Sequence, residues 1–218
     1  MKLRILWKFA RYLQKWRVKL YRYMLSERNG DVWKFVRVWQ PVIINGTGEI
    51  KIGEEGKAEV IIGWIRSPNY YIGNSYIEAR FPTSRIEIGA GTFFNNSCTI
   101  IANTTAVSIG KNCRIGFGCV FFDSDFHGIH PADRDLSGDI LPDAPIVIGD
   151  NVFCGSNVTV LKGVSIGDGS IIGAGSVVSK DVPPMSIAAG NPCKIIRRIS
   201  DADKLDFILH HKQKTENV

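Results

Sequence analysis

The chain has 218 residues, 44% hydrophobic and 22% charged, a balance that suits a folded chain and excludes an intrinsically disordered one. Its net charge of +6 is concentrated at one end: residues 1–26 hold eight Lys and Arg and no acid, whereas the rest holds 19 basic against 21 acidic residues. That near-neutral body argues against a nucleic-acid footprint spread over the domain.

Residues 2–25 predict an amphipathic helix. Arg4, Lys8, Arg11, Lys15, Lys19 and Arg22 step by three and four along one face, and Leu3, Leu6, Trp7, Ala10, Leu13, Trp16, Leu20 and Met24 occupy much of another. The charges interleave with the apolar residues, so no secretory h-region forms, and no stretch reaches the length of a membrane span. Such a helix suits an anionic membrane surface; packing on the domain or on a neighbouring subunit is the alternative. Asn29-Gly30-Asp31 ends it with turn chemistry.

Residues 41–85 read as a drifting version of a repeat that becomes regular at Ile86. From there apolar residues fall six apart: Ile88, Phe94, Ile100; Ile109, Ile115, Phe121; then Ile148, Cys154, Val160, Ile166, Ile172 and Val178. A short fixed period makes each unit a rung stacked on its neighbours. Residues 123–145, rich in Asp, His and Pro, break the beat and are expected to leave the stack as a loop. The repeats end at Val182-Pro183-Pro184. Residues 193–199 read as a covering strand, and Ser200 with Asp203 as a capping box opening a C-terminal helix over about 201–214. The expected organisation is a basic helical segment over 1–40, a β-helix domain over 41–199 with its loop at 123–145, and a C-terminal helix over 200–218.

Five cysteines (Cys98, Cys113, Cys119, Cys154, Cys193) show no CxxC or zinc spacing and are expected to fill small inward slots, in a reducing cytoplasm.

The aliphatic-Gly hexapeptides, the single His-bearing interruption and the tail SVVSKDVPPMSIAAGNPCKIIRR together resemble the left-handed parallel β-helix acyltransferases. The tail is similar to that of the maltose, galactoside and nodulation-type sugar O-acetyltransferases and of polysaccharide acetyltransferases. The resemblance covers about residues 86–199. It implies the fold class, mainly β with a left-handed coil, although the general rule for parallel crossovers gives a right-handed one. It also implies acetyl-CoA as co-substrate, no metal requirement, a homotrimer with sites between neighbouring stacks, and a sugar or glycan acceptor.

His127 and His130 lie in the inserted loop, and His210 and His211 in the expected C-terminal helix. His127 matches the family's general base, which takes a proton from the acceptor hydroxyl as that oxygen attacks the thioester. An imidazole suits the task because its unperturbed pKa lies near neutrality. His130 reads as a surface-loop residue. In an extended segment Asp125 shares a side with His127 and would orient the ring, with Asp123 a further candidate. Asn95 aligns with a family Asn near the thioester, with Asn96 the match if the register slips by one. Asn103 stands where the family commonly has an acidic residue that contacts the sugar.

For the coenzyme, the resemblance carries over to Gly155, Ser156, Gly173, Ala174 and Lys180. Ser156 would meet the thioester end, Gly173 and Ala174 would present backbone groups to the pantetheine arm, and Lys180, with Lys194 or Arg197, would meet the nucleotide phosphates. Direct transfer needs no covalent enzyme intermediate.

Two further readings stay open: an N-acetyltransferase of an amino sugar, which shares the fold and donor, and a non-catalytic β-helix scaffold, which would need neither the His loop nor the tail. A carbonic-anhydrase-like zinc site is not supported, since no rung carries a His. Serine acetyltransferase is not supported either, because its long helical N-terminal domain is not apparent. The acceptor expected from the basic helix is a surface-polysaccharide or glycolipid precursor on the inner face of the membrane.

Overall fold

The computed structural model describes residues 2–27 (side chains from residue 8), 30–135 and 142–203. Short strands follow one another around three faces, each face a sheet of parallel strands. The first face contains Val36–Val38, Val60–Ile62, Phe93–Phe94, Arg114–Ile115, Phe153–Cys154, Ile171–Ile172 and Ser186–Ala189. The second runs from Val42–Asn45 through Ser75–Ala79, Thr99–Ala102, Val120–Phe122 and Thr159–Val160 to Val177–Val178. The third runs from Glu49–Ile52 through Arg85–Ile88, Ala106–Ile109 and Ile146–Ile148 to Ser165–Ile166. Because the chain visits the faces in rotation, strands adjacent in sequence lie on different faces, and strands one coil apart pair. The result is a three-sided parallel β-helix.

The six-residue beat is the register of this stack. On the second face Ile44, Ile77, Ile100, Phe121, Val160 and Val178 stand one above another. The third face stacks Ile52, Ile88, Ile109, Ile148, Ile166 and Val182. The first stacks Ile62, Phe94, Ile115, Cys154, Ile172 and Ala188. All eighteen are buried, and each large aliphatic contributes about 1.5–3 kcal/mol by leaving water. Cys98, Cys113, Cys119 and Cys154 are buried as expected; Cys193 is half-buried. Burial pushes the Cys154 thiol far up, so it behaves as a small apolar filler.

Three residues after an inward one, the backbone turns a corner in the left-handed region. Gly118 (φ 68°) and Asn157 (φ 57°) occupy this place on successive coils. Gly and Asn adopt it at least cost.

Strand pairing begins before the boundary expected at residue 40. Val36–Val38 already pairs with Val60–Ile62, and Trp33, in a 3-10 turn over Asp31–Trp33, is buried in the core at the start of the prism. The drift over 41–85 comes from longer corners, at 53–59, 63–74 and 80–84, between strands that keep their stacking. The segment expected as a loop at 123–145 is described at 123–135 and 142–145. It leaves after Val120–Phe122 and returns at Ile146–Ile148.

At the far end Lys194–Arg198 pairs antiparallel with Ser186–Ala189 and covers it. Ser200 donates its N–H to Asp203 at 2.8 Å, as the capping-box pattern anticipates, and residues 201–203 are helical. The rest of the expected C-terminal helix, with His210 and His211, lies outside the described residues, as does Asn29.

The N-terminal helix, α1, spans Lys2–Leu20 and continues as a π turn over Tyr21–Leu25. Ser26 pins its end to the first coil: the hydroxyl accepts from Ile44 N–H at 3.1 Å and donates to the Val42 carbonyl at 3.3 Å. The helix meets the body through Gln14, Arg17 and Val18 rather than through Leu13 and Trp16, which are exposed. No helix among the described residues is long and apolar enough to cross a membrane.

Candidate active site

The loop between the second and third faces carries His127, which is exposed, and folds back against it through Arg134. The Nδ1 of His127 lies 2.9 Å from the carbonyl oxygen of Arg134. Its neighbour Phe126 is in the left-handed region at φ 61°, a strained place for a bulky residue. Three contacts hold it there. Phe126 N–H donates to Ser124 Oγ at 2.9 Å, its ring meets Phe122 edge-on at 5.3 Å, and the Arg80 guanidinium sits 5.0 Å above it. Gly128 packs so tightly that a Cβ there would come 2.4 Å from the Asp133 carbonyl oxygen. His130 has the local role expected of it: it precedes a 3-10 turn over Pro131–Asp133, and its Nδ1 accepts from Ala132 N–H at 3.2 Å.

The expected orienting role of Asp125 is not what the geometry shows. Its carboxylate pairs with Lys162 at 2.6 Å, while a backbone carbonyl takes the His127 ring nitrogen. Lys162 also donates to the Pro142 carbonyl at 2.8 Å and so joins the outgoing and returning limbs of the loop.

Asp123 anchors the loop's base. Its carboxylate accepts from Asn103 N–H at 2.6 Å, from Thr105 N–H at 3.0 Å and from the Thr105 hydroxyl at 2.8 Å; its carbonyl accepts from Ala144 N–H at 3.0 Å. Burial raises its pKa, opposed by the hydrogen bonds from Asn103 and Thr105. Asn103 is buried within this knot, donating to Asp143 at 2.8 Å, so it ties the loop down rather than facing an acceptor. Asp143, which sequence reasoning missed, also accepts from the Thr104 hydroxyl at 2.7 Å. Nothing local in Leu141-Pro142-Asp143 signals that contact, because its partners lie a coil away.

The corner between the first and second faces holds a second group. Asn95, Gly116, Gly155 and Gly173 follow one another coil by coil, each N–H donating to the coil above at 2.8 Å. A Cβ at Gly116 would lie 2.5 Å from Gly155 C, and one at Gly155 only 2.6 Å from Ala174 N. These small residues let the backbones stack and leave Ser156 and Ala174 accessible beside them. Burial separates Asn95 from Asn96. Asn96 is fully buried, accepts from Trp64 N–H at 2.7 Å and donates to the Trp64, Ser67 and Pro68 carbonyls. Asn95 instead lines an open cavity of about 470 Å³ with Trp64, Phe93 and Arg114.

Within one chain these groups do not converge. Asn95, Gly155, Ser156, Gly173 and Ala174 lie at the first–second corner, whereas His127 and Lys180 belong to the connections between the second and third faces. Arg197 is held by Asp203 at 2.7 Å, which lowers the Asp203 pKa strongly.

A family model, the hexapeptide repeat of succinyl-transferase, matches residues 106–129 and 145–180, the rungs on either side of the loop together with the loop's first residues. The galactoside O-acetyltransferase of Escherichia coli is 40% identical over 151 residues, 68% of this chain and 67% of that protein. The chain belongs to the hexapeptide-repeat acyltransferases. A second relative, Saccharomyces cerevisiae YJL218W, is 41% identical over 122 residues, 55% of this chain and 59% of its own length. Among solved structures, the polySia-specific acetyltransferase NeuO aligns with a TM-score of 0.54 at 34% identity, covering 75% of this chain and 63% of that one.

Proposed function

We propose that this acyltransferase transfers an acetyl group from acetyl-CoA to a sugar hydroxyl, with His127 as the general base. The observation that carries the reading is the His127–Arg134 contact. A carbonyl oxygen only accepts, so Nδ1 carries the proton and Nε2 presents its lone pair. Nε2 takes the acceptor's hydroxyl proton as that oxygen forms its bond to the acyl carbon, then returns the proton to the departing sulfur. The products are an acetyl ester and a free thiol. The coenzyme supplies an activated acyl group in a thioester.

The corner at Gly155, Ser156, Gly173 and Ala174 fits a pantetheine arm, because side chains larger than these would fill the space where the stacked backbones meet. Ser156 would offer a donor to charge developing on the acyl oxygen. Lys180 would meet a phosphate as a point charge.

The separation of the two corners in one chain supports a homotrimer in which the loop of one subunit faces the small-residue corner of the next. The left-handed sense of the coil follows the family resemblance. The acceptor class is a glycan or glycolipid precursor, modified on the cytoplasmic side of a membrane. The galactoside and polySia acetyltransferases among the relatives favour a sugar hydroxyl.

A mass-shift screen tests the reading. The full chain is incubated with acetyl-CoA and free, nucleotide-linked and lipid-linked sugars, and a gain of one acetyl ester is expected on at least one of them. If only amino sugars gain mass, as amides, the O-acetylation reading falls.

A further inference from the structure

Helix α1 meets the body by its polar side. Gln14 is buried and donates to the Tyr70 carbonyl at 2.5 Å, while Arg17 donates to the Tyr71 and Gly73 carbonyls. This seating turns Phe9, Tyr12, Leu13 and Trp16 outward, with Tyr12 66% exposed, and the row continues in exposed Tyr23, Met24 and Leu25. It also opens a cleft of about 260 Å³ between helix and first coil. Val38, Trp39 and Tyr70 form the cleft's apolar side, and Arg11, Lys15 and Lys19 its cationic rim.

We propose that this cleft seats the phosphate of an anionic phospholipid, with the aromatic row lying in the headgroup layer beside it. Charge selects the occupant. No acidic residue among those described lines the cleft, and Lys15 and Lys19 stand exposed on its rim above an apolar base, an arrangement complementary to a phosphate attached to a glycerol and acyl chains. A second copy of the same surface would bring cations against cations. The aromatic side chains suit the interface because each joins an apolar body to it at little entropic cost, and Trp and Tyr add a polar tip. The helix would then lie along the bilayer rather than through it. The proposal extends the reading that the acceptor is a glycolipid precursor, since it would hold the catalytic corners beside a lipid-linked sugar.

The test uses the full chain and sedimentation with two vesicle types, phosphatidylcholine alone and equimolar phosphatidylcholine–phosphatidylglycerol. Binding is expected only to the second, weakening as salt rises. The double variant Lys15→Gln/Lys19→Gln should lose about 25-fold in apparent affinity, on a scale of about fivefold per basic residue at an anionic surface. Both side chains are exposed, so the circular dichroism of the variant should match that of the parent. Trp16→Ser, which keeps every charge, should also weaken binding. Equal affinity for both vesicle types, or a double variant that binds as well as the parent, would overturn the proposal. Acetyl transfer to a soluble sugar without vesicles is measured in parallel. A chain that transfers acetyl but ignores vesicles loses only the lipid site, and one that binds vesicles but transfers nothing loses only the enzymatic reading.

Discussion

The His127 ring nitrogen Nδ1 stands 2.9 Å from the Arg134 carbonyl oxygen, seven residues on in the same loop. A neutral backbone dipole thus fills the place that a carboxylate takes in many base-orienting arrangements. The loop itself supplies the orientation, so anything that moves residues 128–134 moves the proposed base.

His127→Ala should lower kcat by about 10²–10⁴-fold, the usual contribution of a positioned base. Acetyl-CoA binding, followed by calorimetry, should be retained. Asp125→Asn should cost much less, within about tenfold, because its partner is Lys162 rather than the imidazole. A variant at His127 with near-parental turnover would remove it from the mechanism.

Gly128→Ala should slow the reaction without unfolding the protein. The added methyl meets the Asp133 carbonyl oxygen and Cβ at 2.4 and 2.6 Å, so the 3-10 turn must shift and carry the Arg134 carbonyl with it. A displacement near 1 Å costs up to about 10²-fold in rate. The melting temperature should stay close to that of the parent, since the loop lies outside the stacked core.

Asp123 ties the pH dependence of stability to the loop base. Its folded-state pKa is raised, chiefly by burial, so the native state holds this proton to higher pH than the unfolded chain does. The contribution is therefore fully present below the ordinary carboxylate value, about 3.9, and declines as pH rises through the raised value. Asp123→Asn removes this leg. The stability gap between parent and variant, from urea titrations, should be widest near pH 4 and narrow toward pH 7. A gap that widened with pH would contradict a raised pKa for this carboxyl.

Asn95 and Asn96 should separate activity from stability. Asn96→Ala leaves the Trp64 N–H and the Trp64, Ser67 and Pro68 carbonyls without their side-chain partner. The expected cost is about 2–3 kcal/mol, the scale for buried polar groups left unpaired. Asn95→Ala should leave the melting temperature within a degree or two, yet reduce kcat/KM. The reverse pattern would exchange their roles.

Much of this molecule is legible one residue at a time because a β-helix is quasi-one-dimensional. Each coil repeats the problem of the one below, so Ile148, Ile166 and their kin announce the stack, and the break after Phe121 announces the loop. The corner requirement appears only faintly. Asn157 and Gly118 are ordinary residues in the sequence, and their shared left-handed backbone emerges from the turn they make.

Sequence by itself determined the rung register, the place of the interruption and the segregation of positive charge in residues 1–26, since all three depend on local order and composition. Tertiary structure alone decided which partner each polar group takes. Asp125 finds Lys162, Asn103 finds Asp143, His127 finds a carbonyl, and Gln14 rather than Trp16 meets the body. The reason is physical: a hydrophobic period is set by the pitch of the backbone, whereas a hydrogen bond depends on ångström-scale positions that other coils and the loop's own fold supply.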